Sequence, residues 1–463
     1  TSASFTVVPA TPSVLAFTVQ PLSTSAGAVL SPGVVVTARD AFGNTATGFT
    51  GNVSVAIGTN PGGATLSGTA TVAAVAGVAT FSNLSLTARG AGYTLAATAT
   101  GLTGATSSPF DITALTLAWT NPAGGSWSLA SNWSLGRVPQ TTDSVVISLP
   151  GTYTVTLDTT FTAAFLTIGG ATGTQTVTLA SRTLTVSGVM TVAGSGVFAA
   201  TSSTIAGAGT VTNQGTLSLV ASTIAATMAL DNQGLLVVEN TSAINGTLTT
   251  NAGSTIRVQG NGFCCGGTLT VATGFTNLGA IELTSVNGGQ PATLNVTAGS
   301  LINAATGTIS ALAGTGGGRT IGAQLDNQGL VTLNLPLTLS RAGAAHTNSG
   351  TIDASAVDWT LSQSGTTPSF TNTGTITIGA GRTWTVNNGT LNQNAGSIGG
   401  TGTLSLGAVT ANFATAFTNA TTTLVVSSSV LNGPGTLTNA AGRTFSLVAS
   451  TIAATMALDN QGL

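Results

Sequence analysis

Few side chains in this sequence are able to do acid–base, nucleophilic or metal chemistry. His346 is the only histidine, so any Ser-His-Asp relay must use it, and no Gly-x-Ser-x-Gly elbow exists to present a serine. Its setting, Ala344-Ala345-His346-Thr347-Asn348, reads as a solvated turn. Glycoside cleavage wants two carboxylates about 5 to 10 Å apart. Asp353 and Asp358 are the closest pair in that part of the chain, but five residues apart on a strand they face opposite sides; Asp326 and Asp353 lie about one repeat apart. The adjacent Cys264 and Cys265 lack the separated ligand pairs of a zinc site, and a bridge between neighbours would close almost no loop. They are expected to be small buried or turn thiols. Gly314-Thr315-Gly316-Gly317-Gly318-Arg319 lacks the Gly-Lys-Ser/Thr ending of a phosphate cradle and reads as a loop. The expectation is a protein that is not an enzyme and uses no metal or cofactor.

The elements that carry these residues must be inferred from an unusual composition. Only 4% of the 463 residues are charged, no Lys occurs, and the net charge is −2. Hydroxyls and amides therefore do the solvating, and nothing basic is available for nucleic acid or anionic lipid. No run of eighteen apolar residues is present, so no membrane span is expected.

Up to about residue 113, alternating short segments read as strands: Val14 to Gln20, Gly33 to Arg39, Val53 to Ile57, Thr71 to Phe81 and Tyr93 to Thr100. Turns such as Asn60-Pro61-Gly62-Gly63 and Arg89-Gly90-Ala91-Gly92 separate them, a pattern of antiparallel β-sandwiches. With Phe17-Thr18-Val19-Gln20-Pro21, the Asp40-Ala41-Phe42-Gly43-Asn44 turn and Gly92-Tyr93-Thr94-Leu95, residues 10–113 resemble the immunoglobulin-like repeats of bacterial surface adhesins. Asp40 is expected to cap its turn, since one carboxylate is far short of a calcium shell. Residues 1–9, with Phe5 and Val7, parallel Thr106 to Ile112. They are expected to be the last strand of a preceding or neighbouring repeat.

Residues 114–140 bring together Trp119, Trp127 and Trp133. Such a group could stack on sugar rings or plug the end of the next domain, and the plug is expected. The run Trp127, Asn132-Trp133, Gly136, Pro139, Asp143, Val145 and Ile147 resembles the entry segment of β-solenoids in large bacterial surface proteins.

From 141 to 463 repetition decides the fold. Asn213, Asn232, Asn251, Asn277, Asn303, Asn327, Asn348, Asn372, Asn394, Asn419, Asn439 and Asn460 recur at a mean spacing of about 22 residues, mostly followed by x-Gly and a Thr-aliphatic alternation. That length suits one coil of a right-handed parallel β-helix. Asn and Gly are expected to take left-handed corners, Thr-aliphatic strands to turn their apolar side inward, and corner amides to form ladders from coil to coil. Roughly fourteen coils would stack into a rod. Ser218 to Leu235 recurs unchanged as Ser446 to Leu463, so the final coil is expected to present an open edge to more chain or to a partner.

The class expected is therefore all-β: an immunoglobulin-like sandwich, a Trp-rich junction and a long parallel β-solenoid resembling the passenger regions of repeat-rich surface adhesins. That resemblance implies an exported cell-surface stalk, adhesin shaft or filament subunit. Its partners would be further copies joined end to end, or a surface carbohydrate or cell receptor. Two rival readings are a carbohydrate-binding or carbohydrate-cleaving β-helix, and an ice-binding solenoid built on Thr-x-Thr strands such as Thr152-Tyr153-Thr154-Val155-Thr156.

Overall fold

β-Branched residues alternating with small polar ones, interrupted by glycine every few positions, leave little scope for helix. The structure, a computed structural model, describes residues 8–262 and 265–462. Its only helical piece among them is the single turn Ala130–Asn132. The chain divides into two units: Thr1–Leu117 with Gln140–Ser144, and Ala118–Pro139 with Val145–Leu463.

In the first unit small sheets surround one core. Val14–Val19, Val34–Arg39 and Val78–Phe81 form one antiparallel sheet. Asn52–Ile57 pairs with Leu95–Thr98 and Thr71–Ala73 in another. Leu15, Val36, Val53, Phe81, Leu84, Tyr93 and Phe110 are buried between them. Two expected strands divide. The stretch from Thr71 to Phe81 turns back at Ala76 (φ 50°) and Gly77 (φ 81°), where Val75 and Val78 exchange both backbone hydrogen bonds. Its halves thus serve different sheets. The expected turn Arg89 to Gly92 instead supplies most of the strand Gly90–Tyr93, and Leu95–Thr98 belongs to another sheet. Asp40 does cap its turn: its carboxylate accepts from the backbone N–H groups of Ala10, Phe42 and Asn44 and from the Asn44 amide. Burial alone would raise this carboxyl, but those donors hold it below its ordinary value. The expected strand over residues 1–9 lies outside the described residues up to residue 7, so Phe5 and Val7 have no described position.

The second unit is a parallel β-solenoid of about 15 turns. Each turn lays one strand on each of three faces. In one turn these are Thr210–Asn213 (face 1), Thr216–Val220 (face 2) and Thr223–Ile224 (face 3); in the next they are Ala229–Asn232, Leu235–Glu239 and Thr241–Ile244. Register is kept by like stacking on like, with Val211 on Leu230, Leu217 on Leu236 and Ile224 on Ile244. Every second residue points inward, so Thr lies outside and Val, Leu or Ile inside. At about 4.8 Å per turn the stack is about 70 Å long. Three long strands, Gly267–Asn277, Ala292–Asn303 and Arg319–Asn327, bend across the corner between faces 3 and 1.

The corners meet the expectation only in part. Among the described residues none of the ladder asparagines has a positive φ, and neither do Gly215, Gly234, Gly350 or Gly374. Glycine is needed there for closeness instead: a Cβ on Gly374 would lie 2.1 Å from the carbonyl oxygen of Gly350 one turn below. Gly253 and Gly396 are left-handed at this corner, while the left-handed non-glycine residues of the solenoid occupy the others: Ser181, Ser202, Ala221 and Asn240 between faces 2 and 3, and Thr367, Asn388, Ala408, Ser428 and Ala449 between faces 3 and 1.

Candidate functional site

The inward-facing asparagines form a spine along the corner between faces 1 and 2. The Nδ2 of Asn213 donates to the Oδ1 of Asn232 at 2.8 Å, and Asn277, Asn303, Asn327, Asn348 and Asn372 continue the pattern at 2.7 to 2.9 Å, ending on Gln393 at 2.9 Å. Several of the same amides also donate to a backbone carbonyl of the following strand, as Asn213 does to Leu235 and Asn327 to Thr351. Each amide thus ties two turns together and closes the corner. These asparagines are essentially without solvent exposure, a placement that is tolerable only because they are paired. Two expected members are not in the spine. Asn251 and Asn394 lie one residue past the inward position, which Thr250 and Gln393 occupy, because strand alternation rather than the spacing of Asn selects the inward site. Thr250 interrupts the line, leaving the Oδ1 of Asn277, like that of Asn213 at the start, buried without a partner. Asn419, Asn439 and Asn460 make a second line, at 2.7 and 2.6 Å.

At the start of the solenoid Trp119, Trp127 and Trp133 are buried. Their rings pack edge to face at 5.1 and 4.8 Å, and Trp127 lies 4.9 Å from Phe161 of the first full turn. Gly125–Ser126 pairs in parallel with Val155 and Thr156, so this segment is laid on the stack like a partial turn. Asp158 secures it, accepting from the backbone N–H and hydroxyl of Ser128. A sugar platform needs an open ring face, which none of the three offers. Further along, Trp359 and Trp384 stack in register at 5.3 Å with ring planes 7° apart.

His346 overturns its expected place. It is 3% exposed, inward on Ala345–Asn348, in register with Phe370, and its Nδ1 accepts from the backbone N–H of Leu325 at 3.1 Å. Burial, reinforced by the charge of Arg341, pushes its pKa down from 6.5 to about 4. The signal was present in the sequence, since a residue two before an inward asparagine must itself be inward. Arg319 was missed in the same way. Its guanidinium is buried and donates to carbonyls of Gln290, Leu312, Ala313, Gly316, Gly317 and Gly318, so the glycine-rich loop is wrapped around a cation of the chain itself. Burial lowers its pKa.

No family model matches the sequence, and no curated protein matches it. The geometry must therefore carry the reading. Asp326 stands on face 1 and accepts from Thr347 and Gln328, Asp353 stands on face 2 and accepts from the Ser355 N–H, and Asp358 accepts from the Thr383 N–H. Asp326 and Asp353 do not stack on one another. Among the described residues no three His, Cys, Asp or Glu side chains gather as metal ligands, and no helix is long and apolar enough to cross a membrane. Cys265 is a half-buried free thiol, while Cys264 lies outside the described residues. The Thr154 and Thr156 files on face 2 continue into Thr176 and Thr178, then meet Val197 and Ala199, so the outer hydroxyl array is broken after two turns.

Proposed function

We propose that this chain is an extracellular structural protein of the adhesive type, with the solenoid as a stalk, adhesin shaft or filament subunit and the N-terminal unit as an immunoglobulin-like repeat. The observation that carries the reading is the amide spine, running from Asn213 to Gln393 with one interruption. Buried polar side chains repeated turn after turn hold the register of a long stack and do nothing for a pocket. The partner the shaft engages is a surface carbohydrate or a cell receptor. The rival readings have less behind them: the Trp rings are covered, the carboxylates are engaged separately, and the Thr files are short. Copies would join end to end, through strand addition and solenoid stacking.

Electron microscopy of the native material tests this. Rods, or long regular fibres with an axial repeat, are expected; fibres support end-to-end assembly and isolated rods count against it. Compact particles without a rod-like part would overturn the shaft itself.

A further inference from the structure

Ser218–Leu235 and Ser446–Leu463 are identical in sequence, but the described residues of the second do not occupy the faces of the first. Thr223–Ile224 pairs with Ala243–Ile244 on face 3, whereas Thr451–Ile452 pairs with Val430–Leu431 on face 1. Asn232 closes the corner between faces 1 and 2, whereas Asn460 stands at the end of face 2. The other corner devices move by the same step. Left-handed residues sit between faces 2 and 3 at Ser202 and Ala221 and between faces 3 and 1 at Ala408, Ser428 and Ala449, a move they have already made at Thr367 and Asn388, below the end of the first amide spine. The Ser222 hydroxyl accepts from Ser203 N–H at the first of these corners, and the Ser429 hydroxyl from Val409 N–H at the second. Gly207 and Gly433 match as well, each with no room for a Cβ against the carbonyl below.

The amide spine itself hands over between Gln393, where the first line ends, and Asn419, where the second begins. Gln393 is in register with Phe413, which cannot accept its amide. On faces 1 and 3 pairing continues through this turn, by Thr390–Gln393 on Thr410–Phe413 and by Thr403–Gly407 on Thr423–Ser427. On face 2 it does not: one sheet ends at Ser397–Gly399 and another begins at Phe417–Thr418. A cavity of ≈ 260 Å³ lies between them, lined by Gln393, Ser397, Ile398 and Phe417 among others.

We infer that this slip of one face is a built-in parting plane, and that the turns from Thr403 onward form a block that opens separately from the turns below Gly399. The inference depends on the fold alone and not on what the shaft carries. The turns directly below and above are each joined by three strand pairings and a buried amide link; here one strand pairing and the link are both missing, whereas at Thr250, where the face 1 sheet also ends, the threonine hydroxyl bridges to Thr276 and Leu278. In a quasi-one-dimensional stack, cooperativity passes only through such interfaces, so the weakest interface divides it.

Native-state hydrogen exchange of the full chain in rising urea tests this, comparing peptides from 403–462 with peptides from 216–372. The expected result is a step, with 403–462 losing protection together and first. Asn439→Ala should speed exchange in 403–462 by roughly tenfold or more and leave 216–372 unchanged, while Asn348→Ala should speed exchange in 216–372. Complete loss of protection in 403–462 of Asn439→Ala, with 216–372 at its original rates, would also support the plane. Equal acceleration of both regions by Asn439→Ala would show a single cooperative stack and overturn the inference. So would protection lost one turn at a time with no step between 399 and 417.

Discussion

An asparagine that ends a buried strand is stabilising only while its amide is paired above and below. Replacing Asn348 by Ala strands the amides of Asn327 and Asn372, which lose their partners at 2.7 Å on either side. The expected cost is about 1–3 kcal/mol. Asn412 sits in a similar line with Asn392 and Asn432, but on the outward side of its strand. Water replaces the lost partner there, so Asn412→Ala should cost under about 1 kcal/mol. Urea midpoints of the two variants check the difference. His346 gives the solenoid an acid-sensitive residue. Its folded pKa of about 4 lies below the ordinary 6.5, so the unfolded chain takes up the proton first. Its contribution is complete above pH 6.5, declines as pH falls toward 4, and amounts to roughly 3 kcal/mol over that window. Asp40, held below its ordinary value of 3.8, acts only at lower pH. The urea midpoint should therefore fall between pH 7 and pH 4.5 in the native chain and far less in His346→Gln. An equal fall in both would remove His346 as the cause.

Strands and corners follow a different logic, because a turn must approach the turn below to within one strand spacing. Gly374→Ala would put a methyl 2.1 Å from the Gly350 oxygen and should destabilise by about 1–3 kcal/mol or more. Ala221, at φ 49°, is the reverse case, and Ala221→Gly should be neutral or stabilising by up to about 1 kcal/mol. Thermal unfolding of both variants checks the opposite signs. The elements were legible wherever a local rule sufficed: Thr-aliphatic alternation gave the strands, and the recurrence of Asn gave the turn length. Asn251 and Asn394 show the limit, since spacing locates a corner but alternation decides which residue points inward. His346 and Arg319 were hidden because a polar residue between small ones resembles a turn until its strand partners are known. In the first unit, Thr71 to Phe81 looked continuous because Ala76 takes a left-handed conformation that its residue type does not announce.

At the scale of the whole molecule, the sequence repeat predicts a stack but cannot say which face a repeat will occupy. Ser218–Leu235 and Ser446–Leu463 are chemically the same, and each takes its face from the turn beneath it. The three faces are close enough in geometry for the whole set of corners to move on by one. A stack of this kind derives its stability from neighbours, and the buried amides, the Trp359–Trp384 pair and the paired strands all act between turns and not within them. On the proposed function, the C-terminal two-thirds of the chain keeps shape under load. Pulling the full chain from its two ends, one molecule at a time, tests that claim most directly. Sustained resistance followed by release in discrete multi-turn steps is the expected record, and smooth extension at low force, with no steps, would contradict it.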